Sequence, residues 1–435
     1  MQGTFEPVGT VVATPVPGCT PRLLHDSTGV EDIAAYTAGG GYGALGSVPD
    51  LLAEVSASGL LGRGGAGFPI SVKLSGVRAT HLRGRETVVV ANGEEGEPAS
   101  VKDKWLMRRR PHLILDGLRL AAAAVGARRA FVYLSDAESE RAVDRALTEL
   151  DAAGHTDVVI ERVTVTPGYV AGEETAAIRA INGGPAKPSD KPPRPFEEGV
   201  DGVPTVVSNV ETLAHLPFIA RHGGAAFRSA GTAGSPGTFL ATVTGAGRPP
   251  ALYELPHGTK VTDLLAVHGV DPARVRGALV GGYFSGLVDT AILGATLDHE
   301  SLRGIGGALG CGALALLTDE CPVATAASVL AYFDRENAGQ CGSCFNGTAA
   351  MAAAAGALYH QVADAEDLAR LRRWSVVLRG RGACGTLDAA TNAAASLLAR
   401  FAPEVDAHLS RSCAACAQAA PLPIRPFAVE NGVLS

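Results

Sequence analysis

Short apolar runs alternate with longer amphipathic segments over the first half of the chain. The runs at 88–91, 130–134 and 158–160 have the length and the composition of buried strands. Residues 111–127 and 138–153 follow the first two runs and have the apolar spacing of helices. This alternation predicts an α/β fold, in which helices cover the faces of a parallel sheet.

The pattern changes after about residue 235. Apolar runs at 239–244 and 279–280 predict strands around a short helix at 262–265, which is typical of a small α+β insert. From about residue 301 the chain becomes alanine-rich and helical, and it carries every cysteine except Cys19. The predicted units are therefore 1–235, 236–300 and 301–435.

Composition narrows the class of protein. Hydrophobic residues make up 46% of the chain, which is enough for a substantial core, and 37 basic against 44 acidic residues give a net charge of −7. The chain shows no basic patch of the kind that binds nucleic acid. We find neither a secretory signal nor an apolar run long enough to span a bilayer, so we expect a soluble cytoplasmic protein without direct membrane insertion.

Lysine is rare, and its positions are not random. Only six lysines occur, and five of them lie in or beside the polar motifs described below. These five are Lys73, Lys102, Lys104, Lys187 and Lys191.

The cysteines of the C-terminal third have the spacing of a metal or redox site. Cys341 and Cys344 form a CxxC pair, Cys384 follows later, and Cys413 and Cys416 form a second CxxC pair. Iron–sulfur clusters are normally held by four thiolates with spacings of this kind. Structural zinc also binds CxxC pairs, and buried inert cysteine is the third interpretation.

A glycine-rich loop at 62–67 follows a predicted helix at 49–58. The loop formally fits the dinucleotide pattern GxGxxG, but the strand that should precede the pattern is absent from the prediction. Backbone N–H groups of such a loop can still bind an anion, and Arg63 and Lys73 could supply positive charge. A purely structural glycine turn is equally compatible with this string.

Two groups of carboxylates mark further candidate positions. Glu94, Glu95 and Glu97 follow the first predicted strand, where open α/β sheets bind their ligands. Such a cluster is repulsive unless it binds hydroxyl groups, a cation or a substrate, and a solvated acidic loop is the alternative. Glu173 and Glu174 open another predicted helix, where capping alone could explain them.

Taken in order, four strings resemble one family. This family is the flavin-carrying, NADH-oxidising subunit of respiratory complex I, with its relatives in NAD-linked hydrogenases and formate dehydrogenases. The strings are 58–69, 92–98, 168–176 and 204–213. The resemblance extends from about residue 28 to about residue 410.

The resemblance implies a fold and an activity. The fold would be a Rossmann-like FMN domain, a ubiquitin-like SLBB insert and a C-terminal helical bundle with an iron–sulfur site. The cofactors would be FMN, a [4Fe-4S] or [3Fe-4S] cluster and NAD(H). A hydride from the nicotinamide would reach the flavin, and single electrons would then pass to the cluster. Their acceptor would be a small iron–sulfur protein or subunit, either a ferredoxin or a thioredoxin-like [2Fe-2S] protein.

The same resemblance assigns site residues. Glu95 and Glu97 would lie on the nicotinamide side as candidate catalytic residues. Cys341, Cys344 and Cys384 would bind the cluster. The residues around FMN would be Gly62, Arg63, Gly64, Gly65, Gly67, Phe68, Lys73, Asn92, Glu94, Tyr169, Gly172, Glu173, Glu174, Ser208 and Asn209.

The chain also departs from the family pattern at the cluster. Ala338 stands where the family has its first cluster cysteine. With three thiolates the site could hold a [3Fe-4S] cluster or a [4Fe-4S] cluster with one labile iron. Cys413 or Cys416 could instead supply the fourth thiolate.

Further departures affect the nucleotide. Gly76 and Arg194 replace aromatic residues, and each lost ring contact should weaken dinucleotide binding by roughly 1 kcal/mol. Arg194 could recruit the extra phosphate of NADPH, and Ser208 replaces an asparagine of the flavin site. Two alternatives therefore remain beside NADH oxidation. One is electron exchange with ferredoxin, and the other is a non-catalytic scaffold that has lost its cluster.

Overall fold

The computed structural model describes residues 11–24, 29–43, 48–155, 157–416 and 421–429. The described residues form three regions of regular structure. The first region contains a parallel sheet, the second contains a mixed sheet, and the third is helical. The predicted mixed α/β fold with a parallel sheet is confirmed.

The first region provides five strands and nine helices of the described chain. The strands are β1 (Val12–Pro15), β2 (Val88–Asn92), β3 (Arg129–Leu134), β4 (Val159–Thr164) and β5 (Thr205–Asn209). The helices are α1 (Ile33–Ala38), α2 (Val48–Ser58), α3 (Ile70–His81), α4 (Lys102–Arg109), α5 (Pro111–Val125), α6 (Ala137–Ala152), α7 (Glu174–Ile181), α8 (Val210–Ala214) and α9 (Leu216–Phe227).

The second and third regions follow in the chain. The second contains β6 (Thr238–Gly245), β7 (Ala251–Pro256), β8 (Thr259–Lys260), α10 (Val261–His268), β9 (Gly277–Val280), β10 (Leu287–Val288), β11 (Thr296–Leu297), α11 (His299–Gly304) and β12 (Ala313–Leu317). The third contains α12 (Pro322–Glu336), α13 (Gly342–Tyr359), α14 (Ala365–Val377), α15 (Thr386–Arg400) and α16 (Ala402–Leu409).

The parallel sheet has the strand order β4-β3-β2-β5. The chain runs from β2 outward to β3 and β4, and it later returns to the other side of β2 as β5. The strand order therefore reverses between β2 and β5, and ligands bind outside the carboxyl ends of the strands at such a point. Asn92 and Asn209 are register partners at these two ends.

Both faces of the sheet are covered at β2 and β3, which explains why these two strands are mostly apolar. In β2, Val89 and Ala91 belong to the core on which α5 packs. Val88 and Val90 point to the opposite face and join a second core, which includes Ile178 of α7. The apolar runs predicted as strands at 88–91, 130–134 and 158–160 correspond to β2, β3 and β4.

The mixed sheet has the order β1-β7-β6-β12-β9-β10 and extends beyond the predicted insert. Strand β12 pairs with β6 and β9, and β1 pairs with β7. The mixed sheet therefore continues past the predicted boundary at residue 300, because β12 lies beyond that residue. The sequence analysis did not predict β12, because Ala313–Leu317 contains only alanine and leucine and lies in an alanine-rich stretch that was predicted to be helical.

The third region consists of helices α12–α16. Helix α12 packs on α13 and α15, and α14 packs on the same two helices. Leu330, Phe333, Met351 and Leu397 lie in the shared core. Across the described residues, no helix combines the length and the apolar character that a membrane span requires.

Candidate functional site

Two asparagines lie at the carboxyl edge of the parallel sheet. The Asn92 amide donates to the Gly172 carbonyl at 2.8 Å, and the Asn209 amide donates to an Asp103 carboxylate oxygen at 2.7 Å. Asn209 also caps α8, because its side-chain oxygen accepts the backbone N–H of Glu211. The ends of β2 and β5 are thereby fixed to the loops that surround the crevice.

The glycine-rich loop lies between α2 and α3, and it lies against the end of β5. A Cβ atom added at Gly64 would come within 3.2 Å of the Asn209 Cβ atom. Gly65 and Gly67 adopt φ angles of 118° and 63°, which favour glycine. The structure thus brings the loop to the strand edge, with its backbone close to the predicted flavin residue Asn209.

The side chain of Arg63 in the glycine loop contacts the beginning of the mixed sheet. Its guanidinium is buried and donates to the carbonyl oxygens of Thr238, at 3.1 Å, and Pro236, at 3.4 Å. Its Nε atom also lies 4.0 Å from a carboxylate oxygen of Glu211. The side chain joins the loop to the mixed sheet, and its Nη1 atom has no hydrogen-bond partner among the described residues. That Arg63 supplies charge to a bound anion stays a prediction.

Within the acidic loop, Glu94 has a carboxylate oxygen that could accept a hydrogen bond from a ligand. One carboxylate oxygen accepts the Gly168 N–H at 3.2 Å, and the Ser135 hydroxyl lies beside the carboxylate. The second oxygen is buried and has no partner in hydrogen-bonding geometry among the described residues. Burial raises the pKa of Glu94. The backbone of Gly172 approaches so closely that an added Cβ would lie 2.9 Å from the Glu94 carbonyl. An unpartnered buried oxygen at this edge suits a polar group of a ligand.

Glu95 and Glu97 have structural partners instead of free carboxylates. Glu95 accepts the Ser100 hydroxyl at 2.6 Å and the Lys104 N–H at 3.1 Å, so it caps the beginning of α4. Glu97 accepts the Tyr283 N–H of the second region at 3.0 Å. These side chains hold the loop in place, and their role on the nicotinamide side stays a prediction.

Four charged residues form a cluster beside α7. Lys191 donates to both Glu173 and Glu174 at 2.8 Å, and Lys73 donates to Glu174 at 3.4 Å and to the Val207 carbonyl at 3.0 Å. Burial acts to raise the pKa of Glu174, but the two lysines outweigh burial and lower it. Glu173 caps the beginning of α7, which is the structural role that the sequence analysis gave as the alternative to ligand binding. Its other oxygen extends the cluster to Lys191.

A buried ion-pair network lies under Asn209, and the sequence reasoning missed it. The Lys102 side chain is 1% exposed, and its ammonium contacts Asp103 at 2.7 Å, Glu211 at 3.0 Å and the side-chain Oδ1 atom of Asn209 at 3.3 Å. Burial and the excess of nearby carboxylates raise the pKa of Asp103 to about 7. The scarcity of lysine was the available signal, since Lys102 is one of the five motif-associated lysines.

Three other predicted flavin residues lie in distinct environments. Phe68 is 47% exposed and precedes α3. Ser208 is buried in β5 and pairs through its backbone with β2. Tyr169 lies next to the helical region, where its ring centroid is 5.1 Å from that of Phe333 and 5.9 Å from that of Tyr332.

Three cysteines meet in one pocket of the helical region. Cys341 caps α13, Cys344 lies in its first turn, and Cys384 lies just before α15. Burial, followed by the proximity of Cys384 and Cys341, raises the pKa of Cys344 to about 12. Ala338 lines the same pocket, so the residue that replaces the expected cysteine faces the three thiols.

Gln340 also lines this pocket, but its side chain is already engaged. Its nitrogen donates to the Pro188 carbonyl at 2.7 Å, and its oxygen accepts from Arg179 at 3.0 Å. Lys187 donates to the Ala338 carbonyl at 2.8 Å. The loop before α13 is therefore fixed to the segment that connects α7 with β5.

Cys413 lies with a different group of residues. Its sulfur lies within 4.8 Å of the ligand atoms of Cys321, His408 and Cys416, and Cys413 does not line the pocket of Cys341. The structure therefore does not bring Cys413 to Cys341, Cys344 and Cys384 as a fourth ligand. The sequence shows only that Cys413 belongs to a second CxxC pair. It does not show that this pair follows α16 and so lies away from the beginning of α13, where Cys341 and Cys344 lie.

The residues fit the predicted cofactors. For a flavin, the strand edge offers the backbone of the glycine loop and the unpartnered oxygen of Glu94, between loops that the amides of Asn92 and Asn209 hold in place. For a cluster, the pocket offers three sulfur ligands, the donor type that iron–sulfur clusters require. A nucleotide crevice beside a cysteine pocket is the arrangement of a flavin and iron–sulfur electron-transfer protein.

Comparisons with known proteins agree with this class. Residues 55–217 match the family model of the Nuo51 FMN-binding domain, and residues 324–408 match the NADH-ubiquinone oxidoreductase-F iron-sulfur binding region. The F 2 subunit of the NADH-quinone oxidoreductase of Rhizobium meliloti (strain 1021) is 33% identical over 88% of this chain and 95% of its own length. The mitochondrial NADH dehydrogenase [ubiquinone] flavoprotein 1 of Dictyostelium discoideum is 32% identical over 82% and 78%. The chain belongs to the NADH-quinone oxidoreductase F family, as the resemblance predicted.

A solved structure supports the same relationship. An NAD⁺-reducing [NiFe]-hydrogenase in the air-oxidised state matches with a TM-score of 0.76 and 31% identity. The match covers 83% of this chain but only 63% of the hydrogenase chain, so this chain spans less than two thirds of that relative. The prediction of FMN and an iron–sulfur cluster as cofactors is confirmed by the matched family models.

Proposed function

We propose that this chain is a nicotinamide-oxidising flavoprotein that transfers electrons from the strand-edge crevice to the three-cysteine pocket and then to a small iron–sulfur partner. When bound, FMN accepts a hydride from a reduced nicotinamide, and a cluster accepts electrons singly. The residues of the chain bind, orient and shield these groups. No side chain is required as a general acid or base in this proposal.

The observation that carries the proposal is the packing of the strand edge against helix α12, which leads into the loop of the cysteine pocket. Tyr169 follows β4 at the edge of the crevice, and its ring packs on Phe333 of α12. The Tyr332 hydroxyl of the same helix donates to the Gly96 carbonyl in the acidic loop at 3.0 Å. Helix α12 ends at Glu336, immediately before the loop that carries Ala338 and Cys341. The two sites are thus joined by packed side chains and hydrogen bonds.

Each residue at the crevice has a proposed role. The backbone of the glycine loop holds the flavin against the strand ends, and the amides of Asn92 and Asn209 hold the neighbouring loops in place. The free oxygen of Glu94 accepts a hydrogen bond from the flavin or its ribityl chain. The Lys102 network keeps Asn209 in one orientation, since both ends of that amide have partners in the network. Phe68 offers an exposed ring against which a nucleotide base can stack.

We propose that the cluster is held by Cys341, Cys344 and Cys384 alone. The pocket has no other thiol, imidazole or carboxylate among its described lining residues, and the amide of Gln340 is engaged elsewhere. A cubane bound by three thiolates has one iron without a protein ligand. Such a site can hold a [4Fe-4S] cluster with an exchangeable iron or a [3Fe-4S] cluster.

The remaining architecture is assigned by the same resemblance. We propose that the mixed sheet with α10 is the ubiquitin-like SLBB domain, and that α12–α16 are the cluster-bearing helical bundle. The relatives are named as subunits, which supports a role beside a separate iron–sulfur protein. A ferredoxin or a thioredoxin-like [2Fe-2S] subunit has the required chemistry, because it accepts single electrons.

The test is anaerobic absorption and EPR spectroscopy of the purified holoprotein, before and after NADH is added. We expect the flavin absorption to bleach and a reduced-cluster signal to develop. Reduction by dithionite or reduced ferredoxin, but not by NADH, would reject the nicotinamide as the donor. Absence of both chromophores after anaerobic reconstitution would favour the non-catalytic scaffold.

Two variants sharpen this test. Glu94→Gln should weaken FMN binding roughly tenfold, because a hydrogen bond to a charged group contributes about 1.5–3 kcal/mol. The exposed Glu86→Gln is the matched control and should leave FMN binding unchanged. Arg194 has no side-chain partner among the described residues, so Arg194→Gln should lower any activity with NADPH more than the activity with NADH.

A further inference from the structure

Four ligand-bearing residues form a second group in the helical region. They are Cys321, His408, Cys413 and Cys416, and one ligand atom of each lies within 4.8 Å of the others. The Cys321 sulfur lies 3.3 Å from the His408 Nε2 atom. The residues of the three-cysteine pocket are not part of this group.

Three elements bring this group together. Cys321 caps the beginning of α12, and His408 lies in the last turn of α16. Cys413 and Cys416 follow in a turn in which the Cys416 N–H donates to the Cys413 carbonyl at 3.3 Å. A CxxC turn that faces a cysteine and a histidine from separate helices is typical of structural zinc sites.

The histidine is oriented as a metal ligand would be. His408 is fully buried, and its Nδ1 atom lies 3.0 Å from the Leu358 carbonyl oxygen. That carbonyl can only accept, so Nδ1 carries the proton and the lone pair of Nε2 points toward the sulfurs. Metal-ligating histidines characteristically donate their second ring N–H to a carbonyl or carboxylate. A thiol hydrogen bond from Cys321 alone would not require Cys413 and Cys416 to converge on the same point.

We propose that Cys321, His408, Cys413 and Cys416 form a structural zinc site that anchors the C-terminal segment of the chain. Zn²⁺ takes this Cys₃His set in tetrahedral geometry, with Zn–S bonds of about 2.3 Å and neighbouring sulfurs roughly 3.8 Å apart. A four-iron cluster binds each ligand to a different iron, so its ligands must stand farther apart. The close approach of the four ligand atoms therefore favours a single ion over a second cluster.

The position of the site explains what the ion would do. Beyond Cys416, the described segment 421–429 packs back across the molecule. Arg335 donates to the Ile424 carbonyl at 2.6 Å, and the Val429 N–H donates to the Pro98 carbonyl at 2.9 Å. Val429 is fully buried. The zinc site would hold the beginning of a segment whose far end contacts the acidic loop directly after Glu97.

Metal analysis of the purified full-length protein tests the proposal. We expect about one zinc ion per chain, in addition to the cluster iron. The double variant Cys413→Ser/Cys416→Ser should lose the zinc and keep its iron and sulfide. Cys19→Ser is the matched control, because Cys19 packs on the core of the mixed sheet and should keep both metals.

Further measurements test the site even if the double cysteine variant fails to fold. His408→Cys should retain zinc with four thiolates, whereas His408→Ala should lose affinity at least about tenfold. Co²⁺ in place of zinc should give the visible absorption of a tetrahedral sulfur-rich site in the wild-type protein. In the zinc-free protein, the Val429 amide should exchange its hydrogen faster.

The opposite results would overturn the proposal. One is wild-type protein that contains no zinc after growth in zinc-supplemented medium and binds neither Zn²⁺ nor Co²⁺ tightly in the metal-free form. The other is loss of iron and sulfide, without loss of zinc, from the Cys413→Ser/Cys416→Ser variant, because that pattern would place a cluster at this group.

Discussion

The two cysteine groups of the helical region contrast in completeness. Cys341, Cys344 and Cys384 line a pocket in which Ala338 occupies the position of the expected fourth ligand. Cys321, His408, Cys413 and Cys416 form a closed set, and the histidine already has its outer partner. The three-cysteine pocket, which the sequence motif predicted, lacks one protein ligand and is called the open pocket below. The Cys₃His group, whose members lie far apart in the sequence, has four ligands and is called the closed group.

This difference separates two roles that cysteine motifs play. A closed set of four ligands leaves no position for exchange, so it is suited to stabilising a fold. A three-ligand pocket leaves one metal position without a protein ligand, so it is suited to reactivity or to redox tuning. Hydrogen bonds of Gln340 and Lys187 also join the open pocket to the loop that follows α7. The closed group instead anchors a terminal segment.

The largest expected effect comes from removing one ligand of the open pocket. Cys344→Ser should lose the cluster, because only two thiolates would remain. Transfer from NADH to a one-electron acceptor should fall at least about 100-fold, the upper end of the range for changes at metal sites. Reduction of the bound flavin by NADH should persist, and stopped-flow absorption separates the two steps. Zinc content should not change, and joint loss of zinc and iron would mean that the two groups are not independent.

A smaller effect is expected when the open pocket is closed. Ala338→Cys should supply the fourth thiolate, because Ala338 lines the same pocket as the three cysteines. The rate of iron loss to a chelator should fall about tenfold, by the scale of ligand-shell changes at metal sites. Any [3Fe-4S] EPR signal of the oxidised protein should disappear. An unchanged rate and an unchanged spectrum would show that the wild-type cluster already has a fourth protein ligand. Ala383→Ser, in the same pocket, is the control.

A third prediction concerns the segment that the closed group anchors. Val429→Ala should lower the free energy of unfolding by about 1–3 kcal/mol, since it leaves a cavity at a fully buried position. If zinc acts by holding this segment, removal of zinc and Val429→Ala should not be additive. Thermal unfolding of four samples, with and without the substitution and with and without zinc, measures the coupling. Fully additive effects would mean that zinc stabilises a different part of the protein.

The sequence predicted β2 and β3 well, because they are short apolar runs that the sheet buries. It found β4 from the apolar run 158–160 at the beginning of that strand, although none of the six residues of β4 is fully buried. It missed β12, where alanine content suggested a helix and the pairing partners lie far away in the chain. The resemblance assigned both the glycine loop and Asn209 to the flavin site, and the structure brings the loop against Asn209 at the end of β5. The resemblance identified the acidic loop but not the direction of each side chain, so it could not show that Glu95 and Glu97 hold that loop in place.

The closed group could not be predicted from sequence motifs either. Cys321 and His408 are single residues without a local motif, and only the packing of α12 against α16 brings them to Cys413 and Cys416. A local spacing rule can find a CxxC pair but not its distant partners. Arg63 shows a related case, in which a motif residue has distant partners that its own string does not reveal, because Glu211 and a carbonyl of β6 offer it a buried environment.

The smallest effect is expected from loosening the open pocket without removing a ligand. Gln340→Ala would eliminate the hydrogen bonds to Pro188 and Arg179 that fix the loop before Cys341. Each such bond contributes about 0.5–1.5 kcal/mol, so the loop should become more mobile while the cluster stays bound. Transfer from the flavin to the cluster should slow about two- to fivefold, because loss of a positioning contact of roughly 1 kcal/mol has that size of effect. Iron and zinc content should remain at wild-type values. Arg179→Gln removes one of the two bonds and should give a smaller change in the same direction. If Gln340→Ala instead lost its iron, the amide would be a ligand or a necessary support of the cluster, and the open pocket would have more than three determinants.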